Sequence, residues 1–524
     1  MIYNNIAVIA SPEVAGAPTK LKVAVAKKLK ISESEINDIR IIKKSIDARS
    51  RVQIKVNLTV DVYTNDDVPQ KETQQFEYKD VSSATPVIVV GSGPAGLFAA
   101  LRLIELNLKP IVLERGKDIL ERKKDIAQLD RNKGLNPESN YCFGEGGAGT
   151  FSDGKLFSRS KKRGNFQRIL QIFNLHGAAD EILYEAHPHI GTDKLPEIIK
   201  NIRKRILEHG GEVHFCTKVT ELILKSKQVK GVKTKNGDIY EADAVILATG
   251  HSARDVYEML ERQNVELEAK GFAMGVRVEH PQKLIDHIQY HVNGQRSEFL
   301  PAASYSLVAQ VKERGVYSFC MCPGGFIVPA STYEGETVVN GMSPSRRNSP
   351  FANSGIVVEI RPEDILGMKE FGKYGVLAGL KYQQYYEQLY YQNGGGFAIA
   401  PAQRLLDFVR GKVSTSLPKT SYVPGLVSSA IHEWQPAFIR ERLQGGFQEF
   451  DKKMRGFLTN EAIIVGVESR TSSPVRVPRD KDTLEHITIK GLYPCGEGAG
   501  YAGGITSSAV DGEKCAEKIA EWLK

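Results

Sequence analysis

The sequence predicts an α/β fold, and three stretches carry the prediction. Pro86–Gly116 reads as strand, glycine turn, helix and second strand. Ala244–Gly250 reads as an apolar strand running into Ala248, Thr249 and Gly250, and Leu492–Leu523 as a short strand, a glycine turn and a final helix. In the first stretch Val87–Val90 is a continuous β-branched run, which suits a strand covered on both faces of a parallel sheet. Gly91, Gly93 and Gly96 follow with G-x-G-x-x-G spacing, which permits a tight turn, close approach of a pyrophosphate, and close packing of helix on strand. Leu97–Leu106 reads as a buried helix, and Asn107 stands where a left-handed residue would end it. The next strand, Ile111–Leu113, ends in Glu114, about 20 residues beyond the glycines, where a carboxylate can accept from ribose hydroxyls. A glycine motif alone means little. In register with strand, helix and terminal acid it predicts a bound dinucleotide.

Composition sets the outer bounds. At 524 residues the chain has room for about two to four domains. Its 41% hydrophobic and 25% charged content belongs to the ordinary globular class, and no apolar run of about 18 residues suggests a membrane span. The N-terminus lacks a basic segment followed by an apolar core, so no secretory leader is expected. Six cysteines without a C-x-x-C point to a reducing cytosol rather than a disulfide framework, and the expected location is cytoplasmic. A net charge of +8 is mild for this length and compatible with an anionic cofactor or substrate.

In chain order, residues 1–80 form a small β/α domain, with a helix over Leu21–Leu29 and strands over Ile39–Ile46 and Val52–Tyr63. Met1–Lys55 carries 11 Lys or Arg against 5 Asp or Glu, but has no aromatic-rich strand for stacking bases, so docking is favoured over RNA binding. Thr64–Ala84 is polar and reads as a linker. Asn140–Leu156, NYCFGEGGAGTFSDGKL, repeats the glycine spacing at Gly144, Gly146 and Gly149 without a preceding strand. It is read as a loop laying backbone N–H groups against a ligand. A hairpin turning at Asn236 and Gly237 leads into Ala248-Thr249-Gly250. Residues 271–396, short strands and turns with an aromatic-rich helix over Tyr374–Tyr391, read as an inserted α+β substrate domain. The chain is expected to return to the nucleotide fold from 397 to 524, giving that domain the spans 86–270 and 397–524.

With these three stretches in this order, the chain resembles the glutathione-reductase-like FAD superfamily. More narrowly, FGEGGAGTFSDGKL, HPHIGTDKL, GVRVEH, MCPGG, VNGMS, VESRTSSPVR and LYPCGEGAGYAGGI make it similar to a bacterial family of FAD-dependent dehydrogenases. The resemblance implies a Rossmann-like FAD-binding domain of the glutathione-reductase type and non-covalent FAD. It assigns cofactor contacts to Gly91, Ser92, Gly93, Pro94, Ala95, Gly96, Glu114 and Arg115, then to Gly147, Thr150, Val219, Thr249 and Gly250. At the late turn and last helix it assigns them to Gly496, Glu497, Gly504 and Ile505, with Glu497 where the superfamily usually has aspartate. The C-x-x-x-x-C of the disulfide reductases is absent. Cys320 and Cys322, a C-x-C, are expected to be structural thiols, because in a regular strand positions i and i+2 lie too far apart for an unstrained bridge. No second complete nucleotide unit follows, so NAD(P)H, if used, docks transiently.

Flavin carries the hydride chemistry, and the chain orients it. The expected catalytic residues are Lys155, His251, Arg470 and Arg476, the two arginines as a bidentate clamp for a substrate carboxylate or, alternatively, paired to Glu468 or Asp480. Arg277, His187 and His189 are further substrate-handling candidates, with a hydrogen-bonded loop role favoured for the two histidines, and no metal site is expected, since no zinc-like spacing accompanies them. The leading function is an FAD-dependent oxidoreductase (dehydrogenase or reductase) moving hydride between flavin and a small organic substrate, which the arginines suggest is carboxylated. The competing functions are a flavin-dependent RNA-modifying protein and a non-catalytic flavin-binding redox sensor. A small molecule is the expected partner, not nucleic acid or membrane, and the oligomeric state is left open.

Overall fold

The structure is a computed structural model that describes residues 1–50, 52–64, 68, 75–157, 164–292 and 294–524. Its centre is a five-stranded parallel sheet in the order Leu492–Pro494, Val245–Leu247, Pro86–Val90, Lys109–Leu113 and Glu212–His214. Val87, Ile88 and Val89 are wholly buried in the middle of it, as their unbroken apolar run requires. Helices Pro94–Glu105, Leu195–Glu208 and Ile505–Trp522 cover one face. The first and last of these lie almost backbone to backbone, because a Cβ on Gly512 would come within 2.0 Å of Ala95 O. Asn107 adopts φ +61° just past the first helix, as its position predicted. The other face is covered by helix Arg254–Arg262 and by the three-stranded sheet of Val219–Lys225, Gln228–Thr234 and Ile239–Glu241.

The second layer is a seven-stranded sheet, and it changes the expected domain boundaries. Its order is Val308–Val311, Arg314–Cys322, Phe351–Ile360, Phe272–Pro281, Ile463–Glu468, Ala400–Arg404 and Leu426–Ser428. The expectation that the chain returns to the nucleotide fold at 397 is therefore corrected. Ile463–Glu468 pairs with Phe272–Pro281 and with Ala400–Arg404, so strands within 400–468 complete the second sheet. The parallel sheet resumes only at Leu492–Pro494. Composition hides this because buried antiparallel strands such as IIVGVE have the same unbroken apolar look as parallel ones. The aromatic helix spans Ala378–Gln392 and buries Tyr382, Tyr386 and Tyr390 against this sheet.

The N-terminal unit is an antiparallel sheet of Ile2–Ala10, Lys55–Thr64 and Ile36–Asp47, in that order, with helix Pro18–Leu29 on one face. Val8, Leu21, Val25, Leu58 and Val60 close its core. The first strand escapes a sequence reading because Tyr3, Asn4 and Asn5 break its alternation. The linker expected at 64–84 lies partly outside the described residues. No helix is long and apolar enough to cross a membrane among the described residues.

Candidate functional site

The turn after Pro86–Val90 is dictated by backbone proximity. Gly91 has φ +102° and a Cβ there would lie 2.5 Å from Ala248 O, while a Cβ on Gly96 would lie 1.9 Å from Gly91 O. Gly93 differs, since a Cβ would meet only Gly147 Cα, at 3.9 Å. The outer glycines thus serve the fold, and the middle one leaves space. Pro94 occupies the first turn of the helix, where no N–H is needed.

The Asn140–Leu156 loop folds over this turn. Gly146 N–H donates to Ser92 O at 2.9 Å, and Gly147 (φ +61°) sits against Gly93. Arg122 anchors the loop from below. Wholly buried, it donates to the carbonyls of Asn140, Tyr141, Gly144 and Glu145 and to Thr150 Oγ1, at 2.7 to 3.4 Å. Burial pushes its pKa down to about 10. Sequence reasoning misses Arg122 because it stands in the charged run ERKKD, indistinguishable there from solvated neighbours. Glu145 adds a second anchor, accepting from Ile119 N–H at 2.9 Å and pairing with Arg203 at 2.8 Å.

Glu114 ties these pieces together. Its Oε2 accepts from Ser92 N–H and Oγ–H at 2.9 and 2.8 Å, and its Oε1 from Gly116 and Gly144 N–H at 2.9 and 3.0 Å. Four protein donors thus already meet this carboxylate, which has about four lone-pair positions. Arg115 is held by Asp255 and Glu138 at 2.5 to 3.1 Å and lies over the Phe143 ring at 4.1 Å.

A cavity of about 430 Å³ runs from Glu114 and Arg115, past Gly91, Gly93, Pro94 and Ala95 and beneath Gly147, to the last helix. Val219, Thr249 and Gly250 wall one side; Gly496, Glu497, Gly504 and Ile505 wall the far end, with Lys155 and His251. Three of the expected cofactor residues stand behind this wall. Ser92 is wholly buried on Glu114, Gly96 packs against Gly91, and the Thr150 hydroxyl donates to Glu145 O at 2.9 Å. These support the cavity rather than line it. A Cβ built on Gly250, Gly503 or Gly504 would meet nothing within 4 Å, so these glycines leave a cradle that an extended dinucleotide fits. Gly496 N–H donates to Asp511, which also receives Arg479 at 2.6 and 3.0 Å. Arg479 fills the space among Cys495, Asp511 and Cys515, whose ligand-type atoms lie within 4.8 Å of one another.

Side chains from four segments meet at the far end. Asp153 is buried and receives Arg347 at 2.6 and 3.1 Å, with Lys155 Nζ at 3.4 Å. Burial alone would raise its pKa, but Lys155 and Arg347 outweigh that and hold it well below the usual carboxylate range. Lys155 Nζ lies 3.9 Å from Cys322 Sγ. Although burial opposes its charge, Cys322, Asp153 and Cys320 together push its pKa up, so the ammonium persists. The two cysteines do not follow the geometry expected of a strand. The ladder shifts register between Phe319 and Cys322, and Cys320 has φ +45°. At that bulge the Cys322 thiol donates to the Cys320 carbonyl oxygen at 3.3 Å, within reach of the Cys320 side chain. Hydrogen bonding from Cys322 lowers the Cys320 pKa to about 5, against burial and with help from Lys155 and Arg277.

Several expected substrate contacts are corrected here. Arg277 is wholly buried behind the wall, donating to Glu468 at 2.7 Å, Asn353 at 2.7 Å and Asn340 at 3.1 Å. Arg470 reaches the wall, but its guanidinium is spent on Glu387 at 2.9 and 3.1 Å and on Thr332 at 2.9 Å. Arg254 pairs with Glu387 and Glu336 as well, so two arginines and two glutamates form one buried, balanced cluster. Burial and the neighbouring Glu387 push Glu336 up to about 7. Arg476 lies outside the cavity, on a strand paired with Glu268–Ala269, and reaches Glu268 at 3.4 Å. Arg470 is fully engaged and Arg476 stands outside the cavity lining, and their partners are not the Glu468 and Asp480 weighed from sequence. His251 is in the wall, its Nε2 3.0 Å from Arg470 O and its Nδ1 3.4 Å from Glu497. His189 contacts Ser345 O at 3.0 Å and His187 packs on Phe157 at 4.6 Å, both in loop-supporting positions.

Fold and cavity together define a nucleotide-binding α/β protein, and comparison with known proteins makes the class specific. A model of FAD-dependent oxidoreductases matches residues 196–339, a model of the C-terminal domain of FAD-dependent proteins matches 271–471, and a domain of unknown function matches 1–63. The chain is 44% identical over 521 residues to an uncharacterized protein of Clostridium beijerinckii, with 96% of each chain covered, and it belongs to that protein's family. It is an FAD-dependent oxidoreductase, and FAD is its cofactor. A thiamine thiazole synthase of Aeropyrum pernix is 28% identical over 200 residues, covering 35% of this chain and 62% of that enzyme. Among solved structures, CtdE in complex with FAD overlaps 83% of this chain and 84% of its own at 11% identity, with a TM-score of 0.32.

Proposed function

We propose that the protein moves hydride between non-covalent FAD and a small organic substrate bound at the Lys155 end of the cavity. One observation carries this: a single continuous cavity joins the glycine turn at Gly93 to the start of the last helix and passes the Lys155 corner. FAD, extended as in the glutathione-reductase type, would lie with its adenosine end beside Glu114 and Arg115, whose contacts order the wall there, and with its pyrophosphate at the turn beneath Gly93 and Gly147. Its ring system would lie toward Gly504 and Ile505. When bound, it supplies two-electron redox chemistry.

The chain's own groups do the rest. The free N–H groups at the start of Ile505–Trp522 favour negative charge placed against them. Lys155, kept charged by Asp153 beside it, orients an anionic or carbonyl-bearing substrate without help from Arg470 or Arg476. His251 Nε2–H donates to Arg470 O, which fixes the tautomer and leaves Nδ1 as the atom that can take a proton beside Glu497. Nicotinamide serves, where it serves, as a transient donor. Six free cysteines support a cytoplasmic location.

The test is anaerobic mixing of the purified yellow protein with NADH, NADPH and a panel of small carbonyl and carboxylate metabolites, followed at the flavin absorbance band. The expected result is bleaching by at least one donor and release of intact FAD by acid. A colourless protein that FAD cannot reconstitute, or one that releases FMN, overturns the proposal.

A further inference from the structure

Two thiols stand at the substrate end of the cavity, and the function above uses neither. Cys320 lines the cavity; Cys322 is wholly buried directly behind it. Four observations set the pair apart from structural thiols. The strand departs from regular geometry there, and Cys320 takes a positive φ that a non-glycine residue adopts only when its surroundings require it. The departure brings the Cys322 thiol to 3.3 Å from the Cys320 carbonyl oxygen and within reach of the Cys320 side chain, where a regular strand would hold the two side chains apart. The Lys155 ammonium sits 3.9 Å from Cys322 Sγ, and Arg277 donates to Cys320 O at 3.4 Å. Finally, Leu156 O accepts from Thr506 Oγ1 at 2.9 Å, so the Lys155 segment is tied to the start of the last helix at the flavin end.

We propose that Cys320 and Cys322 are a redox-active dithiol that exchanges with small disulfides entering the flavin cavity, Cys320 as the attacking thiolate and Cys322 as the resolving thiol. The substrate class follows from the chemistry, because a thiolate with a second thiol in contact completes exchange with a disulfide, whereas one thiol alone stops at the mixed disulfide. In the first step Cys320 S⁻ attacks one sulfur of RS–SR; an S–S bond forms, the substrate S–S bond breaks, and RS⁻ leaves to take up a proton. In the second, Cys322 gives up its proton and attacks Cys320 Sγ, forming the Cys320–Cys322 disulfide and releasing the second RS⁻ to take up that proton. Two thiols are oxidised and one disulfide is reduced to two thiols, with atoms and electrons in balance. Reduced flavin, when bound, would supply the two electrons and two protons that return the disulfide to the dithiol; this return, and only this, rests on the function proposed above.

The groups facing Cys320 agree with its role as the attacking thiolate. Lys155, Arg277 and the neighbouring Cys322 thiol favour the thiolate, while Asp153 and Glu468 oppose it. An activated thiolate reacts at mildly acid pH, where exposed cysteines are almost wholly protonated. Weighing thiolate fraction against the lower nucleophilicity of a low-pKa thiol, Cys320 should be alkylated about tenfold faster than exposed Cys216.

The experiment uses the purified holoprotein, iodoacetamide and bis(2-hydroxyethyl) disulfide as the probe. Peptide mapping should show Cys320 alkylated about tenfold ahead of Cys216 at mildly acid pH. The disulfide should release two equivalents of mercaptoethanol and leave the 320–322 peptide lighter by two hydrogens. Cys322→Ser should stop at a mixed disulfide on Cys320, and Cys320→Ser should release nothing from this site. Both variants are near-isosteric, and their retained flavin absorbance reports folding. No preferential alkylation of Cys320, or no adduct on the folded Cys322→Ser variant, overturns the proposal. Flavin content is measured on the same sample, so exchange without FAD would sink the cofactor placement and keep the dithiol, and FAD without exchange would do the reverse.

Discussion

The two ends of the cavity are built by different means. At the nucleotide end, backbone meets backbone: Gly91 against Ala248, Gly96 against Gly91, Gly147 against Gly93. At the Lys155 end, side chains converge: Asp153 and Lys155 from one loop, Arg347 from another, Cys320 and Cys322 from a bulged strand, Glu468 and Arg470 from a strand and its exit. The first end excludes every residue but glycine at Gly91 and Gly96, within one short stretch. The second requires only that certain charges meet, and the meeting is set by tertiary packing over roughly 300 residues of chain.

The largest effect should separate fold from ligand at the nucleotide end itself. Gly96→Val places side-chain atoms inside the Gly91 carbonyl contact, so the variant should fail to accumulate as folded protein. Gly93→Val should fold, since only Gly147 Cα stands near, yet lose FAD because the new side chain occupies the cavity. Circular dichroism and flavin absorbance on both variants check this, and equal behaviour would erase the distinction between outer and middle glycines.

At the other end the comparison turns on charge. Arg470→Met leaves Glu387 and Glu336 sharing Arg254 alone in a buried site and should lower unfolding stability by about 3 kcal/mol. Urea unfolding checks it, and a loss of activity without that destabilisation would restore a direct substrate role.

This contrast also explains what could be read in advance. The parallel sheet, the Gly91–Gly96 turn, Asn107 and the Ala248–Gly250 strand end were legible because each is fixed by neighbours in sequence. Arg122, the Arg254–Glu336–Glu387–Arg470 cluster and the cysteine bulge were not, because nothing near them in sequence names their partners. The second sheet was placed in part only. Residues 400–468 look like any apolar strands until Ile463–Glu468 is seen beside Phe272–Pro281.

A third effect concerns the seven-stranded sheet as a whole. His280 is wholly buried, with Nε2 2.8 Å from Phe457 O, and burial lowers its pKa from 6.5 to about 4. A depressed folded-state pKa gives stability that is complete above 6.5 and is lost as pH falls toward 4. The loss is on the order of 3 kcal/mol. His280→Gln should be less stable at neutral pH but should flatten that slope, as thermal melts between pH 7 and about 4 would show. An unchanged slope would move the acid sensitivity to another group.

Glu114→Gln should act through the turn it orders, because the amide oxygen keeps two of the four acceptor contacts while its NH2 faces the other two donors unpaired. FAD affinity should fall about tenfold, for a loss of about 1 to 2 kcal/mol, in titration of the apo-protein. Arg476→Met, on the outside, should shift stability by no more than about 0.5 kcal/mol and leave flavin reduction unaltered. A clear loss of turnover in that variant would put the cavity mouth nearer to it than the structure does.

The order of strands in the parallel sheet has a consequence for biosynthesis. Pro86–Val90 waits for Val245–Leu247, which in turn waits for Leu492–Pro494, and helix Ile505–Trp522 covers the face they share. The ribosome therefore releases most of the chain before the nucleotide half can close, and the apolar face of Pro94–Glu105 stays uncovered until the last helix emerges. Contacts so distant in sequence are slow to form and leave sticky surface exposed meanwhile. Nascent chains truncated before residue 492 should therefore engage chaperones, whereas residues 1–64, with their own sheet and core, are already able to close.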